Sequence, residues 1–328
     1  MKIWLSTSCK QVAVEPPLVN FQGTNNNTLN LEPFFRRKDK VVFVMGATGT
    51  GKSRLAIDLA TRFPAEIINS DKIQVYKGLK VLTNKVTEKE CRGVPHHLLG
   101  IADPNSNFTV ADFRRHASSA INSIIVGKRR LPILAGGSNS FIESLVEEEP
   151  EFRYRYDCCF LWVDVSLPIL NSFVSERVDR MLENGLVNEV RNLFDPNGLG
   201  NDYGRGIRRA IGVPELDAFL RAEMDSTTDD KARSRILKAA ILKIKENTIK
   251  LACRQQQKIH RLQNKWRGWN NFHRIDATEV FLQLDNGEDY SSDNAWETLV
   301  VEPSFMIIDQ FLSKNSFKLT KKVFNAVF

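Results

Sequence analysis

One octapeptide constrains this chain more than any other feature: Gly46-Ala47-Thr48-Gly49-Thr50-Gly51-Lys52-Ser53, which fits G-x-x-x-x-G-K-[ST]. The glycines let the backbone curl until successive N–H groups point at one anion, and a helix starting there adds its positive end. Lys52 supplies a point charge, and Ser53 supplies a hydroxyl suited to Mg²⁺. Such a pattern arises by chance in about one chain per hundred of this length, so its surroundings decide. Val41–Met45 before it is an apolar, strand-sized run. Leu55, Leu59 and Phe63 after it recur at helical spacing up to Pro64. Strand, glycine turn and helix is the context in which this loop binds a diphosphate or triphosphate.

Further strands are predicted at Glu66–Asp71, from Leu131 to the Gly136-Gly137 turn, and at Phe160–Ser166. A helix is predicted over Phe108–Lys128, capped by Thr109 with Asp112 three residues on. Alternating strands and helices imply an α/β fold, a P-loop NTPase-like parallel sheet flanked by helices. In such sheets ligands sit beyond the carboxyl ends of the strands. After Ser166 the pattern turns helical. It predicts a helix over Pro168–Leu193, a loop at 195–206 and a long basic helix from about Asp229 to Gln263. A short strand near His273–Glu279, a polar loop at 285–294 and a last helix at about Pro303–Leu312 follow. The expected division is a disordered tail or transit peptide at 1–39 and a P-loop core domain at 40–165. A smaller, mainly helical acceptor or lid domain at 166–270, a return to the core at 271–312 and a loose tail at 313–328 complete it.

Composition narrows the function. Lys and Arg number 46 against 39 Asp and Glu, for a net charge of +7, which points to a polyanionic partner without naming it. Hydrophobic residues at 42% exclude disorder over the whole length. The five cysteines are odd in number, widely spaced and free of any C-x-x-C pair. That disfavours a disulfide framework or structural zinc and fits a reducing compartment, with Cys158-Cys159 as buried thiols. No run approaches the length of a membrane span. The first fourteen residues carry Lys2, Lys10 and several hydroxyls without an acid, a weak likeness to an organelle transit peptide, against which Glu15 and Glu32 count. Three lookalikes are discounted. Asn84-Lys85-Val86-Thr87 lacks the acid that would read guanine; Asp164 at a strand end reads as a cap or turn residue; and His96-His97 has no further metal ligand at suitable spacing.

Several collinear segments are then read together: GATGTGKS at 46–53, NSDKIQVYKGLK at 69–80, TNKV at 83–86, PHHLLGI at 95–101 and GGSNSFIES at 136–144. FLWVDVSL at 160–167, Arg177–Arg191, GIRRAIGVPELD at 206–217 and LACRQQQKIHRLQ at 251–263 complete the set. Over about residues 39–312 the chain resembles the plant adenylate isopentenyltransferases, which start cytokinin synthesis and are related to the tRNA dimethylallyltransferases. The resemblance implies that the loop cradles the diphosphate of dimethylallyl diphosphate and that adenine N6 of ATP or ADP, less well AMP, attacks the allylic carbon. Mg²⁺ is the implied cofactor, plastid the implied location, with cytoplasm or mitochondrion as alternatives, and no stable nucleic-acid partner is expected. A tRNA dimethylallyltransferase and a P-loop nucleotide kinase remain the alternatives.

The resemblance also implies roles. Asp71 matches the base that takes the N6 proton, as a poor amine nucleophile requires. Its alternative is a capping Asp. Gly46 through Ser53, with Lys85 and Arg209, match the contacts to the leaving diphosphate, although Arg208 leaves the choice of arginine open by one residue. Ser138 matches a hydroxyl that aligns the amine with Asp71, and Arg254 with Gln255 match a pair near the acceptor nucleotide. Phe141 departs from the family, where tyrosine is common. The tRNA enzymes carry a long helical insertion for which the stretch from Ser140 to Phe160 leaves no room, and some end in a Cys/His zinc module, whereas no cysteine follows Cys253.

Overall fold

In the computed structural model, residues 38–195, 202–268, 271–285 and 289–314 are described. The expectations for residues 1–37, 196–201 and 315–328 lie outside them. Six strands form one parallel sheet in the order β3-β2-β4-β1-β5-β6. They are β1 Asp39–Gly46, β2 Ala65–Asn69, β3 His96–His97, β4 Leu131–Ala135, β5 Tyr156–Asp164 and β6 Phe272–Asp276. The central pair runs in register from Asp39 opposite Tyr156 to Gly46 opposite Val163. These two strands are continuous apolar runs because both faces of the sheet are covered, as parallel sheets require.

One face is covered by α1 (Lys52–Arg62), by α6 (Leu167–Glu183) and, near the C-terminus, by α12 (Glu302–Ser313). The other is covered by α3 (Val110–Asn122), α4 (Asn139–Glu148) and the far end of the long helix α9 (Asp230–Lys265). On that side Phe43 stacks on Phe160 with ring centroids 4.7 Å apart. A third apolar cluster joins Val75–Leu82 to α7 (Leu186–Arg191), α8 (Val213–Met224) and the first half of α9. α9 therefore runs from this cluster to the sheet in one piece. Two connecting helical turns, α2 (Glu88–Cys91) and α5 (Phe152–Arg155), are short. α10 (Thr278–Asp285) and α11 (Asp289–Trp296) precede α12.

The predicted sheet and its order of elements hold, with differences of detail. Thr109 caps α3 in a reciprocal box with Asp112 as read, but the α-helix ends at Asn122 and continues as a π-helical turn, Ser123–Gly127. The helix predicted over Pro168–Leu193 is two. Asn184 ends α6, and Gly185, at φ +90°, turns the chain into α7 with a backbone that only glycine adopts without strain. The predicted loop at 285–294 is entered by α11, whose composition carries little helical signal. α8 and the edge pair β3 were not foreseen either.

The stacked ring at the sheet centre is a test of this core. Phe160→Ala should lower unfolding free energy by about 3–5 kcal/mol; urea denaturation of the variant measures it, and a loss under about 1 kcal/mol would contradict the packing.

Candidate active site

The carboxyl ends of β1, β2 and β4 meet at one cleft of about 1360 Å³. The switch in strand order explains why: β2 and β4 lie on one side of β1 and β5 on the other, which opens a crevice above β1. The loop Gly46–Ser53 leaves β1 there. A Cβ on Gly46 would meet Thr50 Oγ1 at 2.5 Å and the Val163 carbonyl at 2.7 Å, so the strand can turn this tightly only with glycine. Thr50 Oγ1 donates to the Ala47 carbonyl at 3.0 Å. Lys52 Nζ donates to the same carbonyl at 2.6 Å, which folds the lysine back over the loop. Ser53, on the first turn of α1, lines the cleft with Thr48, Gly49, Gly51 and Lys52.

Asp71 follows β2 and also lines the cleft. Its two oxygens divide the roles that the sequence left as alternatives. Oδ1 accepts from the backbone N–H groups of Ile73 at 2.8 Å and Gln74 at 3.2 Å. Oδ2 makes no hydrogen bond among the described residues and lies on the side of Gly137, 3.4 Å from where a Cβ there would stand. The residue is thus both a turn cap, which fixes its rotamer, and a carboxylate with an oxygen to spare.

Arg209 lines the same cleft. Its Nη2 donates to the Tyr76 hydroxyl at 3.0 Å and its Nε to the Gly206 carbonyl at 3.2 Å. Arg208 turns away to the Leu193 carbonyl at 2.8 Å and is not part of the cleft lining. Lys85 stands behind the wall made by Thr83, Asn84 and Val86. Its Nζ donates to the Gly78 carbonyl at 2.6 Å and to Thr83 Oγ1 at 3.0 Å. Ser138 is buried at the start of α4, and its Oγ accepts from the Lys72 N–H at 2.9 Å, so its hydroxyl proton remains to be donated.

Gln255 is placed more centrally than the sequence indicated. Its Oε1 accepts from the Thr48 N–H at 2.7 Å, and its Nε2 donates to the Gly137 carbonyl at 2.9 Å. One amide from α9 thereby ties the phosphate loop to the Gly-Gly turn. Arg254 beside it faces the cleft. The next residue, Gln256, donates to buried Asp164 Oδ1 at 2.8 Å, and Arg274 Nε meets the other Asp164 oxygen at 2.7 Å. Asp164 is therefore a structural acceptor, tying α9 and β6 to the end of β5 rather than capping a turn. His97 Nε2 pairs with Glu66 Oε2 at 2.7 Å, and Phe141 stacks on Phe113 in the core at 4.5 Å, outside the cleft lining.

Two residues escaped sequence reasoning. Arg177, on α6, lines the cleft and donates from Nη2 to Thr48 Oγ1 at 3.0 Å. Trp296, on α11, lies where a Cβ on Gly51 would meet its ring edge at 2.5 Å, and its Nε1 donates to Asp58 Oδ2 at 2.8 Å. Arg177 opens one of the family segments but carried no role there, and Trp296 belongs to no motif; each reaches the loop only through the tertiary fold.

The electrostatics follow from burial. Loss of hydration pushes Lys52 down from its ordinary 10.5 to about 8, with Asp71 opposing and Arg177 reinforcing the fall. Burial likewise brings Lys85 to about 8, against the pull of Glu189 and Asp71. An anion at the loop favours the charged lysine and raises its pKa, so binding takes up a proton above about pH 8. Pyrophosphate affinity should therefore fall as pH rises through about 8, and Lys52→Met should flatten most of that fall. Calorimetry across the range checks it; a wild-type profile as flat as the variant's would contradict the assignment.

A family model described as IPP transferase matches residues 74–154 and 146–261. The chain is 61% identical over 308 residues to adenylate isopentenyltransferase 5, chloroplastic, of Arabidopsis thaliana, covering 94% of this chain and 89% of that one. Adenylate isopentenyltransferase 7, mitochondrial, of the same plant is 55% identical over 318 residues, covering 96% and 92%. The adenylate isopentenyltransferase of Humulus lupulus is 45% identical over 301 residues, covering 83% and 90%. Among solved structures, a eukaryotic dimethylallyltransferase acting on tRNA shares the fold at a TM-score of 0.68 and 23% identity, covering 84% of this chain and 80% of that one. The full-length tRNA isopentenylpyrophosphate transferase of Bacillus halodurans does so at 0.58 and 24%, covering 80% and 99%. With curated relatives this similar along nearly their whole length, the chain belongs to the IPP transferase family, among its adenylate isopentenyltransferases.

Proposed function

We propose that this chain transfers the dimethylallyl group of dimethylallyl diphosphate to N6 of ATP or ADP, with AMP the poorer acceptor, as the first step of cytokinin synthesis. The observation that carries the mechanism is that an anion-cradling loop and a carboxylate with a free oxygen open onto one cleft. The diphosphate sits on the loop, where the N–H groups of Gly49–Ser53 and the charges of Lys52 and Arg209 meet the developing negative charge. The N6 lone pair forms the new bond to the allylic carbon while the carbon–oxygen bond breaks, and its electron pair leaves with the diphosphate. Asp71 Oδ2 takes the N6 proton as the bond forms. Ser138, one residue from Gly137, and Lys85 support the acceptor and the diphosphate from behind the cleft wall.

Mg²⁺ is the fitting cofactor. The cleft offers Ser53 as a hard oxygen donor and, among the described residues, no cage of three acidic or imidazole ligands. That donor set suits an ion that keeps its waters and takes its other ligands from substrate phosphates. Bound there, held by Ser53, it would supply positive charge to offset that on the departing diphosphate.

The preference for a polyphosphate acceptor is supported by Arg180, Lys250 and Arg254 on the cleft wall. A free nucleotide rather than tRNA is supported by the segment after the Gly-Gly turn. It is filled by α4 and α5 alone before β5 begins. No helix of the described residues is long and apolar enough to cross a membrane. The relatives include chloroplastic and mitochondrial forms, which supports a plastid location, with mitochondrion or cytoplasm as the alternatives.

Asp71→Asn keeps the shape and the Oδ1 cap but not the base. It should bind dimethylallyl diphosphate within about threefold of wild type while kcat drops about 10²–10⁴-fold. Undiminished turnover in the variant would remove Asp71 from the base role, and the absence of any prenylated ATP or ADP with the wild-type protein would remove the activity.

A further inference from the structure

Asn69 is the last residue of β2 and is buried, outside the lining of the cleft. Its Oδ1 accepts from the Asp71 N–H at 3.2 Å, and its Nδ2 donates to the Asp71 carbonyl at 3.3 Å. The same Nδ2 donates to the buried Leu98 carbonyl at 3.0 Å. One amide thus holds both backbone polar groups of Asp71 and ties them to the chain that follows β3. Two carbonyl oxygens need donors and one N–H needs an acceptor. A short amide meets all three, whereas a carboxylate has no donor and a hydroxyl has one.

The far end of this tie is itself fixed. The Leu98 side chain is buried in the apolar cluster beneath α3 and α4. Its backbone has φ +61°, a left-handed conformation that a bulky residue keeps only where its surroundings hold it. The Asp71 carboxylate is held differently, by the N–H groups of its own turn, Ile73 and Gln74. Those bonds set the side chain relative to the turn, but not the turn relative to the sheet. Ser138 Oγ anchors the turn on the β4 side, through the Lys72 N–H at 2.9 Å. Asn69 anchors it on the β3 side. We propose that Asn69 is a positioning residue for the base: through the Asp71 backbone it sets where Asp71 Oδ2 stands in the cleft. This rests on Asp71 being the base. A base must come within hydrogen-bond reach of the N6 proton, and a misplacement of about 1 Å costs on the order of a hundredfold in rate. Asn69 does not touch the phosphate loop, so transfer depends on it and donor binding does not.

Two readouts on the full chain separate these effects. Formation of prenylated ADP at saturating dimethylallyl diphosphate, ADP and Mg²⁺ gives kcat, and calorimetric titration of inorganic pyrophosphate with Mg²⁺ reads the loop. Asn69→Leu keeps the size and drops every hydrogen bond; Asn69→Ser keeps one donor and one acceptor in case the first variant folds poorly. Either folded variant should lose about 10- to 100-fold in kcat and bind pyrophosphate within about threefold of wild type. In an Asp71→Asn background the same change should lower the residual turnover by less than about twofold, because no base remains to be positioned. Wild-type kcat in both Asn69 variants, beside a deficient Asp71→Asn, would overturn the proposal and leave the base assignment standing. Losses that multiply in the double variant would do the same. Full turnover in Asp71→Asn would overturn the base assignment itself. Pyrophosphate binding that weakens in step with kcat would make Asn69 a support of the whole fold and end the proposal.

Discussion

Everything in this site depends on positive charge that the protein does not neutralise for itself. Lys52, Arg177 and Arg209 line the cleft, and none of the three forms an ion pair among the described residues. The nearby carboxylate, Asp71, spends one oxygen on backbone N–H groups. In a partly dry crevice such charges repel one another far more than they would in water. Under the function proposed above, their stabilisation comes from the substrate: the same imbalance that costs the empty protein makes the arriving diphosphate bind, and then favours the state in which that group carries most charge.

The fold exists to hold this imbalance in place. A parallel sheet covered on both faces puts β1, β2 and β4 side by side, so residues far apart in sequence share one edge. Gln255 ties the loop to the Gly-Gly turn, and Gln256 ties the same helix to Asp164 at the end of β5. Trp296 braces the loop's last glycine and bonds α1 through Asp58. Arg54 adds an ion pair to Asp293 at 2.7 Å on the same side; being exposed, it adds little energy alone. Glu189 of α7 accepts from the N–H groups of Val81 and Leu82, which fixes the segment bearing Lys85. Each support fixes a loop or the end of an element beside the cleft, where a small error in position would be felt most.

What the sequence revealed and what it hid differ in kind. The loop and its strand and helix were legible because glycine spacing, a charged tip and apolar periodicity are local. Asp71 was legible at a strand end, but not the division of labour between its oxygens, which depends on how Ile73 and Gln74 turn. Arg177 heads a family segment, but its reach to Thr48 was not legible, because at helical spacing from Met181 and Arg180 it reads as one more polar position of α6. The break at Asn184-Gly185 carried a stop signal, yet the apolar stripe continuing into Leu186 and Val190 masked it. α11 was missed because its polar run carries little helix propensity, and its packing against α10 is not visible in the local sequence. The net charge of +7 pointed to a polyanion; only the cleft says which of those charges go unanswered.

The central claim is that the anion on the loop is a leaving group and the nucleotide is the acceptor. It is tested most directly by giving the protein dimethylallyl diphosphate and Mg²⁺ with ADP and an anticodon stem-loop in competition, and identifying the products by mass spectrometry. The account predicts ADP prenylated at N6 with little change in the RNA. Modification of the RNA alone, or transfer of a γ-phosphate from ATP with no prenylated product, would contradict it.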